Sequence, residues 1–251
     1  MTPVPALRET SSIRGDFACH ELAAWAAEFG LVAGVTNRGA DFGLGNAEPA
    51  SAVLDHWRAF RTVMQPAFQS VIVARQRHGS SVATHPTAGP GWRVLDHADG
   101  HLTSEPGVLL TVTVADCVPV YLTQRAGPWI GLLHAGWRGI RDGIVERGIS
   151  QLGKLASCST GDIVIHCGVS ICGDCYEVGP EVYEALTAEP TARKHQLDLR
   201  ALVVERAQHS GVRRITVSSW CTAHDAGAFY SHRRSGGVDG RMVAYLGRPV
   251  A

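Results

Sequence analysis

Three short runs carry the residue types of a metal or nucleophile centre: Gln76-Arg77-His78-Gly79, Ala115-Asp116-Cys117 and His134-Ala135-Gly136-Trp137-Arg138-Gly139. In each, a β-rich apolar stretch gives way to a turn, so each run delivers its side chain from a strand end. Two imidazoles, His78 and His134, and one thiolate, Cys117, form a borderline-to-soft donor set suited to zinc. Three protein ligands leave a fourth tetrahedral position open, as in catalytic rather than structural zinc sites. The three lie far apart along the chain, so the fold has to bring them together. Taken singly, each has a plain alternative: a hydrogen-bonded structural His, or a Cys that behaves as a small buried hydrophobe. Asp116 is the carboxylate placed to accept a hydrogen bond from a ligand imidazole and fix its tautomer.

Tyr230-Ser231-His232-Arg233-Arg234 and Gly240-Arg241 put three guanidinium groups beside Gly-rich turns, and Arg138 follows His134 within a Gly-bounded turn. Arginine offers planar bidentate donors to phosphate or carboxylate, and the alternative is a solvated basic loop. The Gly-rich loop from Arg38 to Asn46 has neither the Walker spacing nor a dinucleotide fingerprint, which argues against ATP or NAD. Cys172-Gly173-Asp174-Cys175 has the spacing of zinc knuckles and redox motifs. No matching pair lies nearby, Cys167 and Cys221 are not placed by sequence to complete it, and a turn before Tyr176 explains it equally well. The His-x-Glu and Pro-Cys-x-x-Cys pattern of the editing deaminases is absent.

The elements that must position these residues follow from hydrophobic period. Helical rhythm runs from Asp16 to Phe29, Ala50 to Met64, Gly139 to Leu155, Pro180 to Leu186 and Gln196 to His209. Strands are read at Leu31 to Thr36, Ser70 to Arg75, Val108 to Val114, Val118 to Thr123, Trp129 to Leu133, Asp162 to His166 and Arg214 to Val217. Val82 to Gly107, with three prolines and several Gly and Asp residues, reads as mostly loop with one short strand near Trp92 to Leu95, a natural pocket wall. The pattern predicts an α/β (α+β) fold: one compact domain over residues 1–251, a mixed β-sheet core flanked by helices, and not a cupredoxin-type sandwich.

The 251 residues are 45% hydrophobic and 18% charged, enough for a sizeable core. Lysine plus arginine balance aspartate plus glutamate at 23 each, so no overall field draws the chain to nucleic acid or an anionic membrane. No apolar run is long enough to span a bilayer, and Met1 to His20 has no continuous apolar core. Seven cysteines without a regular framework fit reduced thiols and a cytoplasmic location. No nucleic-acid or membrane partner is expected, and the oligomeric state is left open between monomer and homodimer.

The order of Gln-x-His-Gly, Ala-Asp-Cys-x-Pro, His-Ala-Gly-Trp-Arg-Gly, Cys-Tyr-Glu-Val-Gly and Ser-His-Arg-Arg, from about His78 to Arg241, closely resembles the YfiH-type family. That family is described both as laccase-domain polyphenol oxidases and as purine nucleoside phosphorylases. The resemblance implies zinc held by His78, Cys117 and His134, with copper the other metal to consider. It implies phosphorolysis of adenosine, inosine, guanosine and methylthioadenosine, with adenosine deamination as a companion activity. The chain departs from the family pattern at Arg77, at Val114 and in the spacing of Cys172 and Cys175, all of which leave the metal ligands intact.

On chemical grounds, deamination needs water activated near the purine C6 and a proton shuttle, for which Asp116, beside Cys117, is the candidate. Phosphorolysis needs an anion held against the ribose C1′, for which Arg138 is the first candidate and Arg233 and Arg234 the next. Two rivals remain. Copper-dependent phenol oxidation uses two His and one Cys at its blue-copper centre, but its trinuclear cluster draws on His-x-His pairs, and this chain has none. A cysteine hydrolase would use Cys117 as nucleophile, activated by His134 or His78.

Overall fold

Residues 4–45, 47–87 and 89–250 are described by a computed structural model. The last residue of the Arg38 to Asn46 loop, Ala88 and both chain ends fall outside them. Strands buried on both faces carry near-continuous apolar runs, and here alternate residues of one strand enter different cores. In Met242–Gly247, Val243 and Tyr245 face one cluster while Met242, Ala244 and Leu246 face another. In Val118–Gln124, Val118, Val120 and Leu122 point away from Tyr121 in the same way.

The two-sided burial arises because two seven-stranded sheets stack face to face with helices outside. One sheet runs, edge to edge, Thr10–Arg14, Phe17–Glu21, Val32–Thr36, Met242–Gly247, Val108–Val114, Ser70–Ala74 and Gly91–Leu95. The other runs Ala6–Leu7, Arg214–Ser218, Ile163–Cys167, Val118–Gln124, Ile130–Ala135, Gly100–Thr103 and Val82–Thr84. Both mix parallel and antiparallel pairs.

The inner core holds Ile72, Leu110, Val112, Ile130, Leu132 and Val164. Helix Ala50–Met64 covers the first sheet with Val53, Trp57, Phe60 and Met64, spaced four, three and four residues apart so that they share one stripe. Helices Ile144–Ala156 and Leu199–His209 cover the second sheet. The mixed-sheet, helix-flanked expectation holds, with the refinement that the sheet core is double.

Several local readings are corrected. Asp16 to Phe29 is not one helix: Phe17–Glu21 is a strand and only Ala23–Phe29 is helical. Gly15, at φ +57°, and Asp16 form a two-residue hairpin joining Arg14 to its partner Phe17. The helix read from Gly139 to Leu155 is two helices, Trp137–Arg141 and Ile144–Ala156, broken at left-handed Gly143. The last long helix starts at Leu199 rather than Gln196, where Asp198 caps it by accepting from the amides of Arg200 and Ala201. The segment from Val82 to Gly107 has the strand read near Trp92 to Leu95, at Gly91–Leu95, and two more without a sequence-read counterpart, Val82–Thr84 and Gly100–Thr103. Met242–Gly247, central in its sheet, has no counterpart among the sequence-read strands.

The second sheet buries a histidine pair near one edge. His85 Nε2 and His101 Nδ1 lie 3.1 Å apart, and His85 Nδ1 and His101 Nε2 have no partner among the described residues. Burial, reinforced by the neighbouring His85, pushes His101 down to about 3, and burial with the Arg93 charge pushes His85 down to about 4. Unfolded histidine titrates near 6.5, so below that pH the unfolded chain takes up protons the folded chain refuses, and stability falls with acid. Each ring then costs about 1.4 kcal/mol per pH unit. Urea midpoints measured from about pH 6 to about pH 4 should fall less steeply in a His101→Leu variant than in the parent; equal slopes would refute this account.

Candidate functional site

The chain passes between the two sheets several times, and one of these crossings is a tight three-residue corner. Val108–Val114 ends in the first sheet, Ala115-Asp116-Cys117 turns, and Val118–Gln124 begins in the second. Asp116 makes the turn at φ +83°, a left-handed conformation uncommon for a side-chain-bearing residue. The strand after the corner pairs antiparallel with Ile130–Ala135, Val118 opposite Ala135 and Pro119 opposite His134. That register carries Cys117 to the level of Gly136, beside His134. A Cβ on Gly136 would stand 2.9 Å from Cys117 Sγ and 3.3 Å from His78 Cδ2. Glycine therefore leaves the space in which the thiol and the imidazole meet.

His78 arrives from the end of Ser70–Ala74, also left-handed at φ +56°. Its turn is held by Asp99: Oδ1 accepts from the His78 amide at 2.9 Å, and Oδ2 from the amides of Gly79 at 2.9 Å and Arg77 at 3.2 Å. The same Oδ1 lies 3.1 Å from His134 Nδ1. With Nδ1 engaged, His134 turns Nε2 toward the centre. Donor atoms of His78, Cys117 and His134 all lie within 4.8 Å of one another, and the two imidazole rings sit 4.8 Å apart at 76°.

The electrostatics are those of a thiolate among imidazoles. Burial alone would raise the Cys117 thiol, but His134 and His78 outweigh it and bring it down to about 6. Burial would lower His134, but the Cys117 charge and the Asp99 hydrogen bond carry it up to about 9. Asp99 is held below its usual range because the His134 bond and the backbone amides overcome its desolvation. Two imidazoles and a polarised thiolate converging around one point fit a zinc ion, with Asp99 as the carboxylate that orients a ligand His.

The three donors line a cleft of about 1140 Å³. Asp116, Arg138 and Arg233 line it too, with Tyr176 and His232. Asp116 is not the imidazole's partner: its oxygens accept from Thr222 Oγ1 and from the Arg233 amide, each at 2.6 Å. Asp99 holds the orienting position instead, and nothing in Asp96-His97-Ala98-Asp99-Gly100 distinguishes it from Asp96. The Arg138 guanidinium is exposed, 4.4 Å from the Trp137 ring centroid. The Arg233 guanidinium lies 4.7 Å over the Tyr176 ring and donates to the Glu177 carbonyl. Arg234 does not line the cleft; it faces Asp239 at 3.7 Å. The Cys172-Cys175 pair has the partners that the sequence did not locate, Cys221 and His224, in a second cluster.

Residues 29–249 match the model of the multi-copper polyphenol oxidoreductase laccase family. The chain belongs to that family. Among its relatives is the Bacillus subtilis protein named purine nucleoside phosphorylase YlmD, 34% identical over 201 residues, spanning 73% of this chain and 72% of that one. The Geobacillus stearothermophilus protein of the same name is 32% identical over 215 residues, 80% of this chain and 76% of its own. The solved Geobacillus YlmD structure superposes with a TM-score of 0.80 at 27% identity, covering 96% of this chain and 99% of that one. Bacillus licheniformis YfiH shares the fold, with a TM-score of 0.82 at 24% identity over 91% of this chain and 96% of that one. The YfiH-type resemblance is thereby borne out. No helix among the described residues is long and apolar enough to cross a membrane.

In this laccase-family fold, Asp99 couples the His78 turn to the His134 ring. Asp99→Asn should weaken metal affinity, with zinc as the probe, about 10- to 100-fold, read by competition with a chromophoric chelator; unchanged affinity would remove Asp99 from the site. Gly136→Ala should leave the far-ultraviolet circular dichroism intact while weakening metal binding, read with added zinc, because the added methyl takes the room the donors share.

Proposed function

We propose that this chain is a zinc-containing purine nucleoside phosphorylase of the reducing cytoplasm. Its substrates would be adenosine, inosine, guanosine and methylthioadenosine, with adenosine deamination as a companion reaction. The observation that carries this reading is the convergence of His78, Cys117 and His134 in a cleft that Arg138 and Arg233 also line. The phosphorylase names of the YlmD relatives support the substrate class, and seven free cysteines fit a reducing compartment.

His78, Cys117 and His134 would hold the ion, which when bound supplies Lewis-acid polarisation at its open position. The Arg138 and Arg233 guanidiniums bind inorganic phosphate and hold one oxygen against the ribose C1′. As that oxygen bonds to C1′, the bond from C1′ to the purine nitrogen breaks and its electron pair leaves with the base. Donors in the cleft offset the charge growing there. Asp116 carries the proton from hydrogen phosphate to the departing purine nitrogen: each carboxylate oxygen spends one lone pair on Thr222 or Arg233 and keeps another. In deamination the same carboxylate would take a proton from the water whose oxygen bonds to purine C6 and pass it to the amino nitrogen, which leaves as ammonia as its bond to C6 breaks.

Copper oxidation by a multinuclear centre has weaker support. Among the described residues two side-chain groups have metal-binding geometry, and neither contains more than two imidazoles. A cysteine hydrolase has one observation in its favour, the Asp99, His134 and Cys117 succession, which has the logic of a catalytic triad. Iodoacetamide labelling of Cys117 with burst kinetics on an amide substrate would favour that reading.

Incubation of the purified protein with adenosine, with and without phosphate, should give adenine and ribose 1-phosphate only when phosphate is present, and inosine in either case. Cys117→Ala and His134→Ala should each lower phosphorolysis by about 100-fold or more. Arg138→Ala should chiefly raise the KM for phosphate, by about tenfold or more for a lost charge-assisted hydrogen bond. Variants indistinguishable from the parent, or no product from any of the four nucleosides, would overturn the assignment.

A further inference from the structure

Outside the cleft lies a second group of soft donors. The 3₁₀ turn Gly173–Cys175 closes a Cys172-x-x-Cys175 loop, and the segment after Arg214–Ser218 carries Cys221-x-x-His224. The two loops are joined by a parallel bridge between Ser170 and Cys221 and by the Thr222 amide donating to the Ser170 carbonyl at 3.1 Å. One ligand atom from each of Cys172, Cys175, Cys221 and His224 lies within 4.8 Å of the others. The His224 ring spans the first pair, Nδ1 3.6 Å from Cys172 Sγ and Nε2 3.2 Å from Cys175 Sγ. Donors on a tetrahedral zinc ion stand about 3.5 to 3.8 Å apart, as follows from Zn–S and Zn–N bonds of about 2.3 and 2.0 Å. The Cys172 amide donates to Cys221 Sγ at 3.3 Å, and such a contact favours the thiolate a metal requires.

We propose that Cys172, Cys175, Cys221 and His224 form a structural zinc site, separate from the cleft and closed by four protein donors. Two x₂ loops, each offering two ligands, make a zinc knuckle pair, assembled from segments about fifty residues apart by the sheet register. All four positions being filled by the chain, the ion has no place for substrate, and its effect is mechanical. Tyr176, which lines the cleft beneath the Arg233 guanidinium, follows Cys175 directly. Thr222, which donates to Asp116, follows Cys221 directly. The ion would tie together the two loops that shape this side of the cleft.

Metal counting on the full chain, purified under reducing conditions from zinc-supplemented cells, tests this without reference to activity. The parent should hold two zinc ions per chain, Cys117→Ala one, and the Cys117→Ala, Cys175→Ser double variant none. Because cysteine removal in the second cluster can prevent folding, the Cys117→Ala protein with that cluster intact is also loaded with cobalt. Thiolate-to-cobalt charge transfer and the intense visible bands of a tetrahedral ion are expected. A metal-free Cys117→Ala protein, a Cys172 to Cys175 disulfide in its mass spectrum, or octahedral cobalt bands would overturn the proposal. These results are independent of whether nucleosides are the substrate.

Discussion

One carboxylate holds the cleft's donor set in register. Asp99 is fully buried, and a buried carboxylate is tolerated only when its lone pairs are used. Here three consecutive backbone amides and an imidazole use them. The amides cannot move without dragging His78, which is already in a left-handed conformation that an unsupported His would leave at a gain of about 1 kcal/mol or more. Asp99 thus offsets the strain at one donor while fixing the tautomer of another. Cys117 completes the set through strand register rather than through a hydrogen bond to Asp99.

The double sheet explains how residues so distant in sequence can be held so closely. Corner 115–117 is one of the places where the chain changes sheets, and here it does so in a three-residue turn between two largely buried strands. The corner's own polar groups are satisfied from outside: Asp116 receives Thr222 and the Arg233 amide, and its carbonyl receives the Ile171 amide. The segments near residues 171, 222 and 233 therefore gather around this corner because its polar groups need partners there. The cleft wall and the second thiol cluster are built from those segments.

Legibility follows the range of the forces involved. His78, Cys117 and His134 are readable because each ends an apolar run, and helix Ala50–Met64 is readable because its stripe is local. Asp99 is not, since its importance lies in amides contributed by a different segment and its own surroundings look like any polar loop. Met242–Gly247 escapes a sequence reading because Gly240, Arg241 and the arginines before it have the character of a loop, while its two-faced burial is a property of the stacked sheets. Phe17–Glu21 reads as helix because a short apolar alternation near Ala23–Phe29 merges into a helical rhythm unless the Gly15-Asp16 turn is given its full weight. Cys221 and His224 become partners of Cys172 and Cys175 only through the parallel pairing of Arg214–Ser218 with Ile163–Cys167.

The two donor clusters differ in a way that bears on the family's two names. A copper oxidase of the multinuclear kind gathers many imidazoles around several ions, whereas these clusters contribute two and one. The first cluster has three donors and faces a cleft that Arg75, Arg138, Arg233 and Arg241 also line; the second has four donors and lies outside that cleft. An open set beside anion-binding groups suits group transfer to phosphate, in which charge must be placed and no electrons leave the substrate. A closed, thiolate-rich set suits holding loops in place. The donor chemistry is therefore in keeping with the phosphorolysis proposed above, and the shared fold by itself does not decide between the two descriptions.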